Sequence, residues 1–183
     1  MTPGATTIAG FVIPSADPLF LAILAVHAPL GAACVATGAV VIFSRKGTRR
    51  HVGFGTAYFW CLLALLVTTT ALALMRWTVD YFLFVFGAAA VAAALFGRTA
   101  MRRRWPGGSR LHIAGMGTSY VLLLVGFYVD NGHQLPVWER LPHYAYWLAP
   151  VVVGAPLIGW ALIFHPLARR RPTSPGTPAR ASP

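Results

Sequence analysis

LFLAILAVHAPLGAACVATGAVVIF, residues 19–43, carries no charged side chain and is followed at once by SRKGTRR, residues 44–50. A helix rises about 1.5 Å per residue and the hydrocarbon core of a bilayer is roughly 30 Å thick, so a run of this length spans lipid. The basic segment behind it belongs in water among headgroups. Four more runs repeat the pattern, at 51–75, 79–97, 111–129 and 143–164. Lipid offers backbone N–H and C=O groups no partner, so each run must close its own hydrogen bonds as a helix. Strands of a membrane barrel would alternate over short segments, and these runs do not. The expectation is an all-α, polytopic membrane helical bundle of five transmembrane helices.

Composition agrees. Of the 183 residues, 57% are apolar and only 10% are charged, too few charges for an ordinary soluble surface. The formal net charge of +11 sits beside the apolar runs, where anionic lipid headgroups account for it; no nucleic-acid partner is expected. Thirteen of the fifteen basic residues fall in loop 44–50, loop 98–110 and the tail 165–183. Arg76 and Arg140 lie on the other side, together with all four acids, Asp17, Asp80, Asp130 and Glu139. Short arginine-rich loops stay in the cytoplasm, which puts the N-terminus outside and the C-terminus in the cytoplasm. An odd number of spans requires the same split. Residues 1–18 have no lysine or arginine and read as a short outer N-terminal tail rather than a signal peptide. Residues 19–164 are the transmembrane domain. Residues 165–183 are a basic, proline-rich cytoplasmic tail, expected to be disordered with Arg169–Arg171 near headgroups. The location expected is the cell inner (plasma) membrane, as a multi-pass protein. Cys34 and Cys61 lie inside spans and read as buried free thiols.

Two stretches echo each other. RRHVGFGTAY, residues 49–58, and RLHIAGMGTSY, residues 110–120, each follow a basic loop and open a span. Gly53, Gly55, Thr56 and Tyr58 match Gly115, Gly117, Thr118 and Tyr120 at a shift of 62 residues. Spans one–two and three–four are therefore a candidate pair of parallel hairpin repeats, with the fifth span added. Glycines at a span start let a second backbone approach closely. Gly31, Gly38 and the alanines at 88–90 and 92–94 look like further packing surfaces. His51 and His112 lie at similar depth, but one position apart in the echo, a turn of roughly 100° around the helix.

The six histidines divide by depth. His51 and His112 stand level on helices of the same direction, close to arginines suited to propionates. They are candidate axial ligands of haem b, with interfacial packing and headgroup contact as the other reading. His27 lies about 12 Å into the first span, where a polar ring must face the bundle or a wet cavity. Pro29 beside it can open a pocket through a kink. One packing hydrogen bond, a ligand or cofactor role, and proton transfer all remain open for His27. His143 opens the fifth span and pairs with His27 as a candidate second cofactor centre. His27, Asp80, Asp130, Asn131, His133 and His143 together make a candidate outward-facing polar pocket, with ordinary helix-end chemistry as the alternative for the carboxylates. No HxxxH or HExxH spacing supports a metal site. His165–Pro166 ends the last span, where a terminal cap suffices. Thr68–Thr70 can line a polar path or bond their own helix carbonyls. Phe82, Phe84 and Phe86 alternate, which indicates no continuous aromatic face. There is no Walker-type phosphate loop and no nucleophile elbow.

His27 in span one, the basic loop followed by His51 and Gly55, His112 early in a later span, and the Asn131–Gly132 turn together resemble an uncharacterised bacterial membrane family, domain of unknown function 2306, over roughly residues 20–145. The resemblance implies a polytopic membrane topology and draws attention to the histidines; it implies no reaction. The histidine placement is also loosely similar to small di-haem cytochrome b-type membrane subunits. Three functions follow. The first is a small redox or electron-transfer subunit using haem b or quinone. The second is a small-solute or proton transporter, or an accessory subunit, built on the outward-facing His/Asp pocket. The third is a structural subunit whose histidines only pack, working with a membrane-protein partner or as a homo-oligomer.

Overall fold

The computed structural model describes residues 6–8 and 11–164. The readings made for the tail 165–183, His165 included, lie outside the described residues. Two short strands, β1 (Thr6–Ile8) and β2 (Phe11–Ile13), pair antiparallel ahead of the helices. Sequence reasoning took this segment only as a tail. Its β-branched residues, Thr6, Thr7, Ile8, Val12 and Ile13, are the local reason for extended backbone.

Five helices follow: α1 (Pro18–Phe43), α2 (Arg49–Met75), α3 (Trp77–Arg102), α4 (Gly108–Asn131) and α5 (Tyr144–Phe164). All five are long and apolar enough to cross a membrane. The protein is an integral membrane protein with five candidate spans. Its outer surface agrees, with Leu19, Phe43, Trp60, Val67, Leu74, Leu157 and Trp160 each at least 60% exposed, an apolar coat that water does not tolerate over a whole molecule.

Helix ends overrun the apolar runs at the basic side. α2 begins at Arg49, α3 continues to Arg102 and α4 begins at Gly108. Hydropathy marks the part that lipid covers, whereas the backbone ladder continues until a cap stops it. Asp17 caps α1, accepting from the amides of Leu19 (2.8 Å) and Phe20 (3.1 Å), with Pro18 pre-set at the first helical position. The ammonium of Lys46 closes the other end of α1 by donating to the carbonyls of Val41 (3.1 Å) and Ile42 (3.0 Å). Thr48 caps α2 through the His51 amide. Gly107, at φ +71°, makes the left-handed turn into α4. α1 runs unbroken through Pro29.

The two hairpins pack through different means. Between α1 and α2 the core is side chains: Cys34, Tyr58, Phe59, Leu62 and Leu65 are buried, joined by Ala90, Val91 and Ala94 of α3. Between α3 and α4 the backbones themselves meet. A Cβ on Gly115 would stand 2.6 Å from the Ala93 carbonyl oxygen and 2.8 Å from the Gly97 Cα, and one on Gly108 would stand 2.8 Å from the Ala100 oxygen. The echo glycines thus split in function. Gly115 is a backbone contact and Gly117 receives Ile158 of α5, but Gly53 has nothing within 4 Å. At the far end Val125, Val129 and Tyr146 form a second cluster. There Trp147 packs on both Phe82 (6.0 Å) and Phe86 (5.6 Å). The alternating reading of the phenylalanines missed this face, because 82 and 86 are helical neighbours four apart.

Gly115→Val is expected to destabilise the bundle by about 1–3 kcal/mol through overpacking against Gly97. Gly53→Ala should leave stability unchanged or slightly raised. Thermal unfolding of both variants in mild detergent checks the contrast.

Candidate functional site

Helix α2 carries His51 and, seven residues on, Tyr58. Helix α4 carries His112 and, seven residues on, Ser119. Seven residues are nearly two turns, about 10 Å along the axis, so each pair shares a face. The structure turns these faces toward each other as two polar rungs. At the arginine-rich end the rings of His51 and His112 stand 6.4 Å apart between centroids, at 71°. Deeper in the bundle the Tyr58 hydroxyl and the Ser119 hydroxyl bond at 2.8 Å, with Tyr58 2% and Ser119 0% exposed. Tyr120, the echo partner of Tyr58, turns aside to α1. Its hydroxyl donates to the Val35 carbonyl at 3.1 Å, and its ring covers Gly38.

The rungs connect residues 61 apart, one less than the echo's shift. The single-position offset between His51 and His112 is what lets the rings meet. Ser119 was not singled out from the sequence, where Thr118 matches the echo and Ser119 does not. The signal that finds it is the common seven-residue spacing from each histidine.

Hydrogen bonding fixes much of the protonation. The Nδ1 of His112 lies 3.2 Å from the Gly97 carbonyl oxygen. A carbonyl only accepts, so Nδ1 carries the proton and the neutral ring leaves Nε2 with its lone pair free. The Nδ1 of His51 is buried without a well-formed hydrogen bond, and the acceptor within reach of the ring is the Val41 carbonyl, which also accepts from Lys46 at 3.1 Å. Lys46 and Arg98 lie within electrostatic range of His112, and Lys46 also of His51. Half-burial in its loop pushes the Lys46 ammonium below the usual lysine range. The Arg98 guanidinium sits over the Phe59 ring at 4.6 Å.

His27 has a committed partner. Its Nδ1 stands 3.0 Å from the Thr68 hydroxyl oxygen, and that hydroxyl donates to the Leu65 carbonyl at 2.9 Å. The threonine proton is therefore spent on its own helix, and His27 donates from Nδ1. Thr70 likewise donates to Leu66, at 2.7 Å. His143 accepts from the Trp147 indole at 3.4 Å and packs against Tyr146. Asp80 pairs with Arg76 at 3.0 Å in the first turn of α3. Asp130 accepts from Asn131 at 3.2 Å and lies in electrostatic range of Asp80, His133 and Arg76. Asp80 and Asp130 of the outward pocket thus lie within electrostatic range of Arg76, and Asn131 and His133 lie beside Asp130, while His27 and His143 bond elsewhere. The connecting loop is pinned over them by Trp138, stacked on Tyr128 at 4.1 Å, with its carbonyl accepting from Tyr146 at 3.1 Å.

Among the described residues no three His, Cys, Asp or Glu side chains gather as a bare metal ion requires. Two imidazoles alone suit a metal whose other ligands come with it. Metal–imidazole bonds of about 2.0–2.1 Å, with each ring centre about 1 Å behind its nitrogen, would put the centroids of two histidines that share one metal no more than roughly 6 Å apart. The His51–His112 separation, 6.4 Å, lies close to that limit. Two open clefts occur at the same end of the bundle. One, of about 490 Å³, is lined by Arg110, Leu111, Ala114, Leu162 and Ile163; the other, of about 220 Å³, by Arg49, Arg50, Gly53, Phe54 and Ala57. Neither is lined by a histidine.

No family model, curated protein or solved structure matches this chain.

Ser119→Ala should cost about 1–3 kcal/mol, because it strands the buried Tyr58 hydroxyl. Adding Tyr58→Phe removes the stranded group, and most of the loss should return. A double-mutant cycle by thermal unfolding in detergent reads the coupling.

Proposed function

We propose that this protein is a small redox subunit of the cell inner membrane that holds haem b between His51 and His112. The observation that carries this reading is the 6.4 Å separation of two imidazoles on separate helices, with no third ligand gathered beside them among the described residues. Bound there, haem supplies one-electron chemistry. The chain's own residues do the rest. Gly97 orients the His112 ring through its carbonyl, as backbone acceptors commonly orient metal-ligating histidines. His112 then presents Nε2, and the buried nitrogen of His51 gains a reason to be polar. Lys46 and Arg98 supply the positive charge that propionates need. Neither cleft reaches the pair, so binding a macrocycle would require the basic ends of α2 and α4 to part. The transport reading has less support, since its central ring, His27, is engaged with Thr68. The packing reading keeps one specific support, the bond from His112 to Gly97.

Protein expressed with ample haem and purified gently should be red, with a Soret band that His51→Ala or His112→Ala abolishes and His27→Ala preserves. A colourless protein under those conditions defeats the haem reading and leaves the packing role.

The orientation belongs to the same proposal: arginine-rich end in the cytoplasm, N-terminus outside. A tag at the N-terminus should be cut by protease added to intact spheroplasts, and a tag at the C-terminus only after permeabilisation. Both tags cut on one face would refute the topology.

A further inference from the structure

Helices α1 and α2 run antiparallel, and their contacts fix the register between them. The His27 ring bonds Thr68 at 3.0 Å, Gly31 lies against Leu65, and Gly38 lies against Tyr58. In such a pair, seven residues forward on one helix and seven back on the other is nearly two turns along both. The move returns to the same two faces at a new height. From His27 and Thr68 it arrives at Cys34 and Cys61. The two cysteines are thus the next rung of the same ladder, between the Gly31 and Gly38 contacts.

The Cys34 sulfur points the same way. Its thiol donates to the Tyr58 carbonyl at 3.8 Å. A helical carbonyl points along the axis into the turn that holds the residues three and four positions on. Cys34 is therefore aimed at the turn of α2 that carries Cys61. Cys34 is part of the buried cluster against which Cys61 packs, and the two groups lie within electrostatic range of each other.

Depth selects the chemistry. Cys61 lies twelve residues from the start of α2, about 18 Å along it, near the middle of a hydrocarbon core of roughly 30 Å. Aqueous glutathione, a charged peptide, does not reach thiols at that depth. Cys34 is fully covered, whereas Cys61 is only half-buried and open to the apolar phase. An oxidant for this pair must dissolve in lipid and take two electrons, which is the chemistry of a quinone.

We propose that Cys34 and Cys61 are a redox-active dithiol, oxidised by a membrane quinone to a disulfide that links α1 to α2. Two S–H bonds break and one S–S bond forms. The two electrons and two protons pass to the two carbonyl oxygens of the quinone, which leaves as quinol. The step is independent of haem.

Full-length protein from a haem-deficient host, held in lipid nanodiscs without dioxygen, is reduced and then given a short-chain ubiquinone analogue. Ultraviolet absorbance should show one equivalent of quinol per chain, and maleimide labelling after denaturation should find both thiols lost. Peptide mass spectrometry should join Cys34 to Cys61 within one chain. Cys61→Ser, at the half-buried position, should lose quinol formation and leave Cys34 free to label. Cys34→Ser should do the converse. Copper-phenanthroline oxidation of the unaltered chain reads the juxtaposition without any variant and should give the same link. Thiols that stay reduced under excess quinone, quinol formation that survives in either serine variant, or no link within one chain under copper-phenanthroline would each overturn the proposal.

Discussion

The contact between the backbones of Gly97 and Gly115 governs the rest of the bundle. Lipid gives helices no hydrophobic reason to associate, so close packing must supply the attraction. Two glycines facing each other let α3 and α4 approach until a Cβ on Gly115 would collide with backbone at 2.6 Å and one on Gly97 would be crowded at 3.2 Å. That approach brings the Gly97 carbonyl to the His112 ring. It also sets the position of α4 from which Ser119 reaches Tyr58 and Gly117 receives Ile158. Substituting the shared glycine thus disturbs the polar rungs as well as the helix pair.

Polar chemistry inside the bundle follows one economy. Buried hydroxyls and ring nitrogens find partners on another helix or on their own turn: Tyr58 with Ser119, Tyr120 with Val35, His27 with Thr68, Thr70 with Leu66. The first three of these bonds cross between α1, α2 and α4 and hold the two hairpins in register. The exception is His51, whose buried Nδ1 lacks a well-formed hydrogen bond. That nitrogen belongs to the ring that meets His112, 6.4 Å away between centroids.

The two ends of the molecule are electrically different surfaces. At one end Arg76 pairs with Asp80, Asn131 donates to Asp130, and His133 lies in electrostatic range of Asp130, beside a loop pinned by Trp138. At the other, nine basic side chains of the two described loops have no acid nearby in sequence. One end is tied by its own contacts, and the other carries basic loops that contain no acid.

The sequence alone determined the five helices, because uncharged runs of that length have no other stable form in lipid. It also determined the uneven charge of the two ends and the depth of each histidine, since helical rise converts residue number into distance. It did not determine where side chains point around the helix axes. A shift of one residue turns a ring by about 100°, and only the packing of α3 on α4 decided that His112 faces His51 while Tyr120 faces Gly38. For the same reason Ser119, unremarkable in sequence, became the buried partner of Tyr58. His27 and His143, grouped with the acids by their side of the membrane, bond instead to Thr68 and Trp147.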